Sequence, residues 1–135
     1  MTPFLLKIVT PDGLKFDGQV EEVVVRTTSG DMGIQAGHIS CVAPLGMGQA
    51  MILTGGQKRY AACIGGMVSV VNGEAHIVAT TFEWADEIDV DRAEASAKRA
   101  QTVLCDKGAK DTDVRMAEAR LKRALIRKNV AGQNR

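Results

Sequence analysis

Aromatic side chains are scarce: three Phe, one Tyr and one Trp in 135 residues. A core made from this chain is therefore aliphatic, and a surface that stacks exposed bases lacks its platforms. A charge excess is missing as well. Seventeen Lys and Arg stand against sixteen Asp and Glu, a formal net charge of +1, so nothing in the whole-chain charge draws it to nucleic acid or an anionic membrane. Cysteine is limited to Cys41, Cys63 and Cys105, with no C-x-x-C and no Cys/His ligand spacing. Small buried thiols in a reducing compartment are expected, and no metal site. No basic-then-apolar leader opens the chain, so no export signal is expected. Long hydrophobic runs are also absent. Met32 to Gln57 is 26 residues without Asp, Glu, Lys or Arg, but six Gly, Pro44, Gln35, His38, Ser40 and Gln49 interrupt it. That stretch predicts strands and turns, not a membrane span.

What the chain does contain is unevenly placed. Hydrophobic residues make up 45% and charged residues 24%, ordinary for a folded domain and wrong for a disordered one. All three Pro, all five aromatics and twelve of fourteen Gly lie before residue 85. Turn signals there are closely spaced: Pro11-Asp12-Gly13, Asp17-Gly18, Ser29-Gly30-Asp31, Gly46-x-Gly48, Gly55-Gly56, Gly65-Gly66 and Asn72-Gly73. Asn-Gly offers the two positive-φ residues of a type I′ hairpin, joining Met67–Val71 to Ala75–Thr80. Gly55-Gly56 joins Ala50–Thr54 to Lys58–Ile64 in the same way. Apolar residues alternate at Phe4/Leu6/Ile8, Val23/Val25/Thr27 and Ala75/Ile77/Ala79. Eight to ten short strands in so few residues predict a small sandwich or flattened barrel over residues 1–86.

Residues 87–135 follow another period. Val90, Ala93, Ala97, Ala100 and Leu104 form one helical stripe, and Val114, Ala117, Leu121 and Ala124 a second. Asp89 is the expected cap of the first helix, Asp111 or Thr112 of the second, and Gly108 the stop between them. A connection this short predicts antiparallel neighbours. The architecture expected is thus β + α: an N-terminal all-β sandwich followed by a C-terminal antiparallel two-helix hairpin. Five of the nine stripe positions are Ala. Each methylene not buried forgoes roughly 0.8 kcal/mol, so the hairpin is expected to be weakly held and movable. Residues 1–85 have a net charge of −2, whereas 114–135 reach +6 through Arg115, Arg120, Lys122, Arg123, Arg127, Lys128 and Arg135 against Glu118. A basic helix without aromatics fits an acidic protein face or phosphate groups better than nucleic acid.

Several segments occur together in order: Val9-Thr10-Pro11-Asp12-Gly13, Gly30-Asp31-Met32-Gly33-Ile34, Gly37-His38, Ala43-Pro44-Leu45, Gly65-Gly66 and Ile88-Asp89-x-x-Arg92-Ala93. In this order, and with the β-then-helical plan, the chain resembles the epsilon-subunit family of bacterial F-type ATP synthases. The resemblance implies a non-catalytic subunit of the rotor's central stalk, peripheral to the cytoplasmic face of the cell membrane through its complex. Its partners would be the gamma subunit, the c-ring and, with the hairpin extended, the beta and alpha subunits. Ser29, Gly30, Asp31, Met32, Gly33 and His38 match the family's surface toward the c-ring and gamma. An extended hairpin would block ATP hydrolysis, with Arg115, Arg120, Lys122, Arg123 and Arg127 as the inhibitory basic face.

The family's folded-back hairpin binds ATP in some bacterial members. No cofactor is implied as a requirement; ATP would be a regulatory ligand. The residues matching that site are Ile88, Asp89, Arg92, Ala93, Arg99, Arg123 and Arg127. Arginines pair bidentately with phosphate oxygens, so the chemistry is apt. Two other classes compete. An enzyme would have to use His38 as base, Cys41 as nucleophile and Asp31 as orienter, yet residues three apart on a strand project to opposite faces. A stand-alone nucleotide-sensing or nucleic-acid-binding module is the remaining alternative.

Overall fold

A computed structural model describes residues 2–133. Eight strands come first: β1 (Phe4–Thr10), β2 (Gly13–Val20), β3 (Glu22–Thr27), β4 (Gly30–Gln35), β5 (Cys41–Pro44), β6 (Met47–Thr54), β7 (Gln57–Val71) and β8 (Glu74–Trp84). They pair in the order β2-β1-β8-β7-β6-β3-β4, with β5 also on β7. Every pair is antiparallel except β1 with β8. The ladder curls onto itself. Leu6 and Ile8 near one end share a single buried cluster with Val23, Val25 and Ile34 near the other. The Glu21 N–H donates to the Leu53 carbonyl at 2.7 Å, tying the exit of β2 to the end of β6. This is the flattened sandwich that the turn spacing predicts.

Local chemistry explains most of the elements. Asn72 and Gly73 have φ of 51° and 80°, and Gly55 and Gly56 have 59° and 76°, so both expected hairpins turn through left-handed pairs. The alternating residues point inward: Leu6, Ile8, Val23, Val25 and Ile77 are fully buried. Gly65-Gly66 behaves differently from the expectation of a turn between two strands. β7 runs unbroken for 15 residues, and its ladder with β8 merely skips from Ile64↔Thr81 to Gly66↔Ala79. At Gly66, φ is +115° and an added Cβ would collide with the Val78 carbonyl, so the bend needs glycine. The first half of β7 can then pair with β6 and the second half with β5.

A 3-10 turn (Ala85–Glu87) leads to α1 (Val90–Leu104) and α2 (Asp111–Gly132). The Arg92 N–H donates to the Asp89 carboxylate at 3.1 Å, so Asp89 caps α1. Two other boundaries differ. α1 stops at Leu104, before Gly108, because the Asp106 side chain accepts the Gly108 N–H at 2.9 Å and competes with the helical ladder. Neither Asp111 nor Thr112 caps α2; Lys110 does, without a side-chain bond, and Asp111 and Asp113 in the first turn supply the favourable negative charge instead. Ala93, Ala97, Ala100, Ala117 and Ala124 are all buried along the seam. Among the described residues no helix is long and apolar enough to cross a membrane.

The hairpin lies folded back on the sandwich. Ile88 and Val130 meet Ala62 and Ala85 in a second, small apolar cluster, with Tyr60, Ile126 and Ala131 at its margin. The cysteines are not uniformly buried as expected. Cys63 is buried, Cys41 half-buried at the start of β5, and Cys105 exposed at the end of α1. Burial pushes the Cys63 thiol up to about 12.

Candidate functional site

A cleft of about 510 Å³ lies between α1, Arg127 of α2 and the strands beneath. Its helical wall carries Arg92, Ala93, Ser96 and Arg99 from α1 and Arg127 from α2; Asp89 and Glu87 stand at its entrance from β8. Arg92, Ser96 and Arg99 share a face because four and three residues separate them. The strand wall carries Thr10, Asp12 and Lys15 from the β1–β2 hairpin and Thr80, Thr81 and Glu83 from β8. The Arg127 Nε donates to Glu83 Oε1 at 2.6 Å, and the Lys15 Nζ stands 3.7 Å from Glu87 Oε2. Four cations, Lys15, Arg92, Arg99 and Arg127, therefore face four carboxylates, Asp12, Glu83, Glu87 and Asp89. An incoming polyphosphate can exchange with these carboxylates for the guanidinium and ammonium groups.

Five of the seven residues matched to an ATP site line this cleft: Asp89, Arg92, Ala93, Arg99 and Arg127. Two do not. The Ile88 side chain is buried with Ala62, Ala85 and Val130, where it anchors the hairpin. Arg123 lies one helical turn before Arg127, half-buried and outside the cleft's lining. Sequence reasoning missed Thr10, Asp12, Lys15, Thr80, Thr81, Glu83, Glu87 and Ser96. Ser96, one turn beyond Arg92, and Glu87, two residues before Asp89 in the 3-10 turn, lie beside the motif; the others reach the cleft through strand pairing.

The β3–β4 hairpin presents Ser29–Gly33 at the sheet's edge. The Thr27 hydroxyl donates to the Gly30 carbonyl at 2.7 Å and accepts the Ser29 N–H at 3.1 Å, which tightens the turn. Asp31 is exposed but engaged, its carboxylate 2.9 Å from Arg26 Nε across the strand pair. Met32 packs partly against the core, and Gly33 is exposed. His38 precedes β5, beside the exposed Ile39 and Val42. Val42, Met67 and Val78 lie on neighbouring strands β5, β7 and β8 and are all exposed, an apolar outer patch. Of the expected basic face, Arg115, Arg120 and Lys122 are exposed, Arg123 is half-buried, and Arg127 is held by Glu83. Arg135 lies outside the described residues.

The enzyme reading finds no machinery here. Residues 38–40 lie outside any strand, and the Cys41 Sγ comes within 4.0 Å of His38 Nδ1 instead of facing away. That nitrogen also lies 2.8 Å from the Ile39 carbonyl, to which it can only donate, so it carries a proton and is no base for the thiol. Asp31 is committed to Arg26.

Residues 3–85 match the family described as ATP synthase, delta/epsilon chain, beta-sandwich domain. Residues 86–132 match ATP synthase, delta/epsilon chain, long alpha-helix domain. The chain belongs to the ATP synthase delta/epsilon family. The family's ATP synthase epsilon chain from Bacillus velezensis is 46% identical over 127 residues, covering 94% of this chain and 96% of that one. The Bacillus subtilis epsilon chain is 46% identical over 128 residues, with 95% and 96% covered. The same fold occurs in distant structures. A chain of the Euglena gracilis mitochondrial ATP synthase OSCP/F1/c-ring assembly superposes with a TM-score of 0.83 at 21% identity, covering 100% of this chain and 83% of that one. A chain from the Tetrahymena thermophila mitochondrial central stalk and c-ring gives 0.61 at 16% identity, with 94% and 95% covered. Within the family this chain is of the epsilon type, a non-catalytic subunit of the F-type ATP synthase, and a stand-alone nucleotide-sensing or nucleic-acid-binding module is not favoured.

Proposed function

We propose that residues 1–86 dock this epsilon-family subunit to the gamma subunit and the c-ring, at the cytoplasmic face of the cell membrane. Residues 87–135 then act as a movable brake on ATP hydrolysis, with ATP as the ligand that favours the folded-back state. The observation that carries this reading is the cleft itself. Arg92, Arg99 and Arg127 from both helices face strand residues across it, so a polyphosphate bound there bridges hairpin and sandwich. The apolar patch of Val42, Met67 and Val78 suits gamma, and the tight Ser29–Gly33 turn suits the polar loops of the c-ring. Release of α2 would free Arg127 from Glu83 and add it to Arg115, Arg120, Lys122 and Arg123 for an acidic face of the beta subunit.

Truncation after Asp86 in the assembled complex tests the brake: ATP hydrolysis rises while the complex stays intact. Unchanged hydrolysis refutes inhibition by the hairpin and leaves the docking role standing. Calorimetry with millimolar ATP tests the ligand, and an absence of binding refutes that part alone.

A further inference from the structure

One cation in the cleft comes from the strands and from none of the motifs that point to a nucleotide. β1 and β2 pair from Phe4↔Val20 to Ile8↔Phe16, and then the register jumps to Val9↔Leu14. Lys15 is the extra residue. A bulge of this kind re-aims the side chain it displaces. Here Leu14 is 57% exposed, Phe16 packs partly against the core, and Lys15 turns into the cleft wall, its side chain only 25% exposed. Its partner there is Glu87 at 3.7 Å, much longer than the 2.6 Å contact that holds Arg127 to Glu83. The other three cations, Arg92, Arg99 and Arg127, all ride on the helices.

We propose that Lys15 is a phosphate-contacting residue of this cleft, which gives up Glu87 for a phosphate of a bound nucleoside polyphosphate and so anchors the ligand to the sandwich. The inference rests on nucleotide binding in the cleft as proposed above. Arg123, standing outside the lining, leaves the phosphate set one cation short of the four expected, and Lys15 supplies a fourth from the opposite wall. Because the ammonium is fixed to the strands, a phosphate held by Lys15 and the arginines spans the two parts of the chain directly.

The test is calorimetric titration of the full-length chain with ATP, using wild type, K15Q, K15R, E87Q and the K15Q/E87Q double variant. Lys15 lies on an edge strand and is partly exposed, and circular dichroism checks that each variant is folded. K15Q is expected to weaken ATP binding at least fivefold, K15R to stay within twofold of wild type, and E87Q to tighten binding at least twofold. The gain from E87Q should vanish in the K15Q background, since it acts by freeing Lys15. If wild type binds but K15Q stays within fivefold of it, or if the E87Q gain persists without Lys15, the role of Lys15 is overturned and the nucleotide site stands. Should K15Q fail to fold, E87Q decides: an affinity that does not rise at least twofold overturns the role equally. Wild-type chain that binds no ATP at millimolar concentration overturns both.

Discussion

Replacing Val130 by Ala loosens the hairpin without touching the sandwich core. Val130 is fully buried, and its apolar neighbours are Ala62 on β7, Ala85, and Ile88 at the start of the helical unit. The cluster contains only four buried residues, so one side chain is a large share of it. Truncation to Ala removes two methyl groups, about 1.6 kcal/mol at ~0.8 kcal/mol each, and any cavity left behind adds to that. Since ~1.4 kcal/mol is tenfold in an equilibrium, the docked state weakens by roughly tenfold or more. Native-state hydrogen exchange reads this directly, because local opening and global unfolding separate amide by amide. Exchange should accelerate about tenfold along α2 while the β7–β8 ladder keeps its wild-type protection. In the assembled complex the same variant should hydrolyse ATP more slowly, because a larger share of hairpins is extended. Equal acceleration in helices and strands would show that α2 opens only with the whole protein. Unchanged exchange in α2 would show that this cluster is not what holds the hairpin.

Three further predictions concern the thiols and the bend in β7. Because burial raises the folded Cys63 thiol from its ordinary 9.0 to about 12, the unfolded thiol ionises first. The stability it contributes is fully present below pH 9 and is lost as pH rises through about 12, so C63A should show a flatter loss of stability across that window. In thiol labelling at pH 8, Cys105 should react at once and Cys63 only on unfolding; equal rates would contradict its burial. Gly66→Ala should destabilise by several kcal/mol in urea titration, since it adds a backbone clash to a strained φ of +115°. Gly73→Ala, with φ +80° and open space around it, should cost about 1 kcal/mol, and comparable losses for the two would remove the case for a close approach at the bend.

Much of this fold is written in short-range periodicity. Phe4/Leu6/Ile8, the Asn72-Gly73 turn and the five seam alanines each declare their environment within a few residues, and each is found as expected. Gly65-Gly66 is the instructive exception. Two glycines signal backbone freedom, but whether the chain reverses or only bends depends on β5 and β8 on either side of it. The Asp106 side chain likewise ends α1 through a bond that periodicity does not weigh. The cleft was half legible. Asp89, Arg92, Ala93 and Arg99 lie within one helical segment, and Arg127 was reached through the family motif. Lys15 and Glu83 are 68 positions apart in the chain and line one cleft only because β1 runs beside β8 and carries β2 with it. Ile88 and Arg123 stand outside the cleft's lining: a motif places residues in sequence, whereas the direction of a side chain is settled by what packs around it, as the buried cluster does for Ile88.

The strand that leads into the helices is β8, and it is clamped along one edge by β1 and along the other by β7. That position has a mechanical meaning. A pull on α1 directed along β8 loads both ladders in shear, so many hydrogen bonds resist together and none can be peeled open one at a time. Beyond the 3-10 turn the helices are held by a small cluster of four buried apolar residues and an ion pair. Force applied to the hairpin is thus spent at its seat, and the strand it hangs from stays in register: a soft latch bolted to a stiff post.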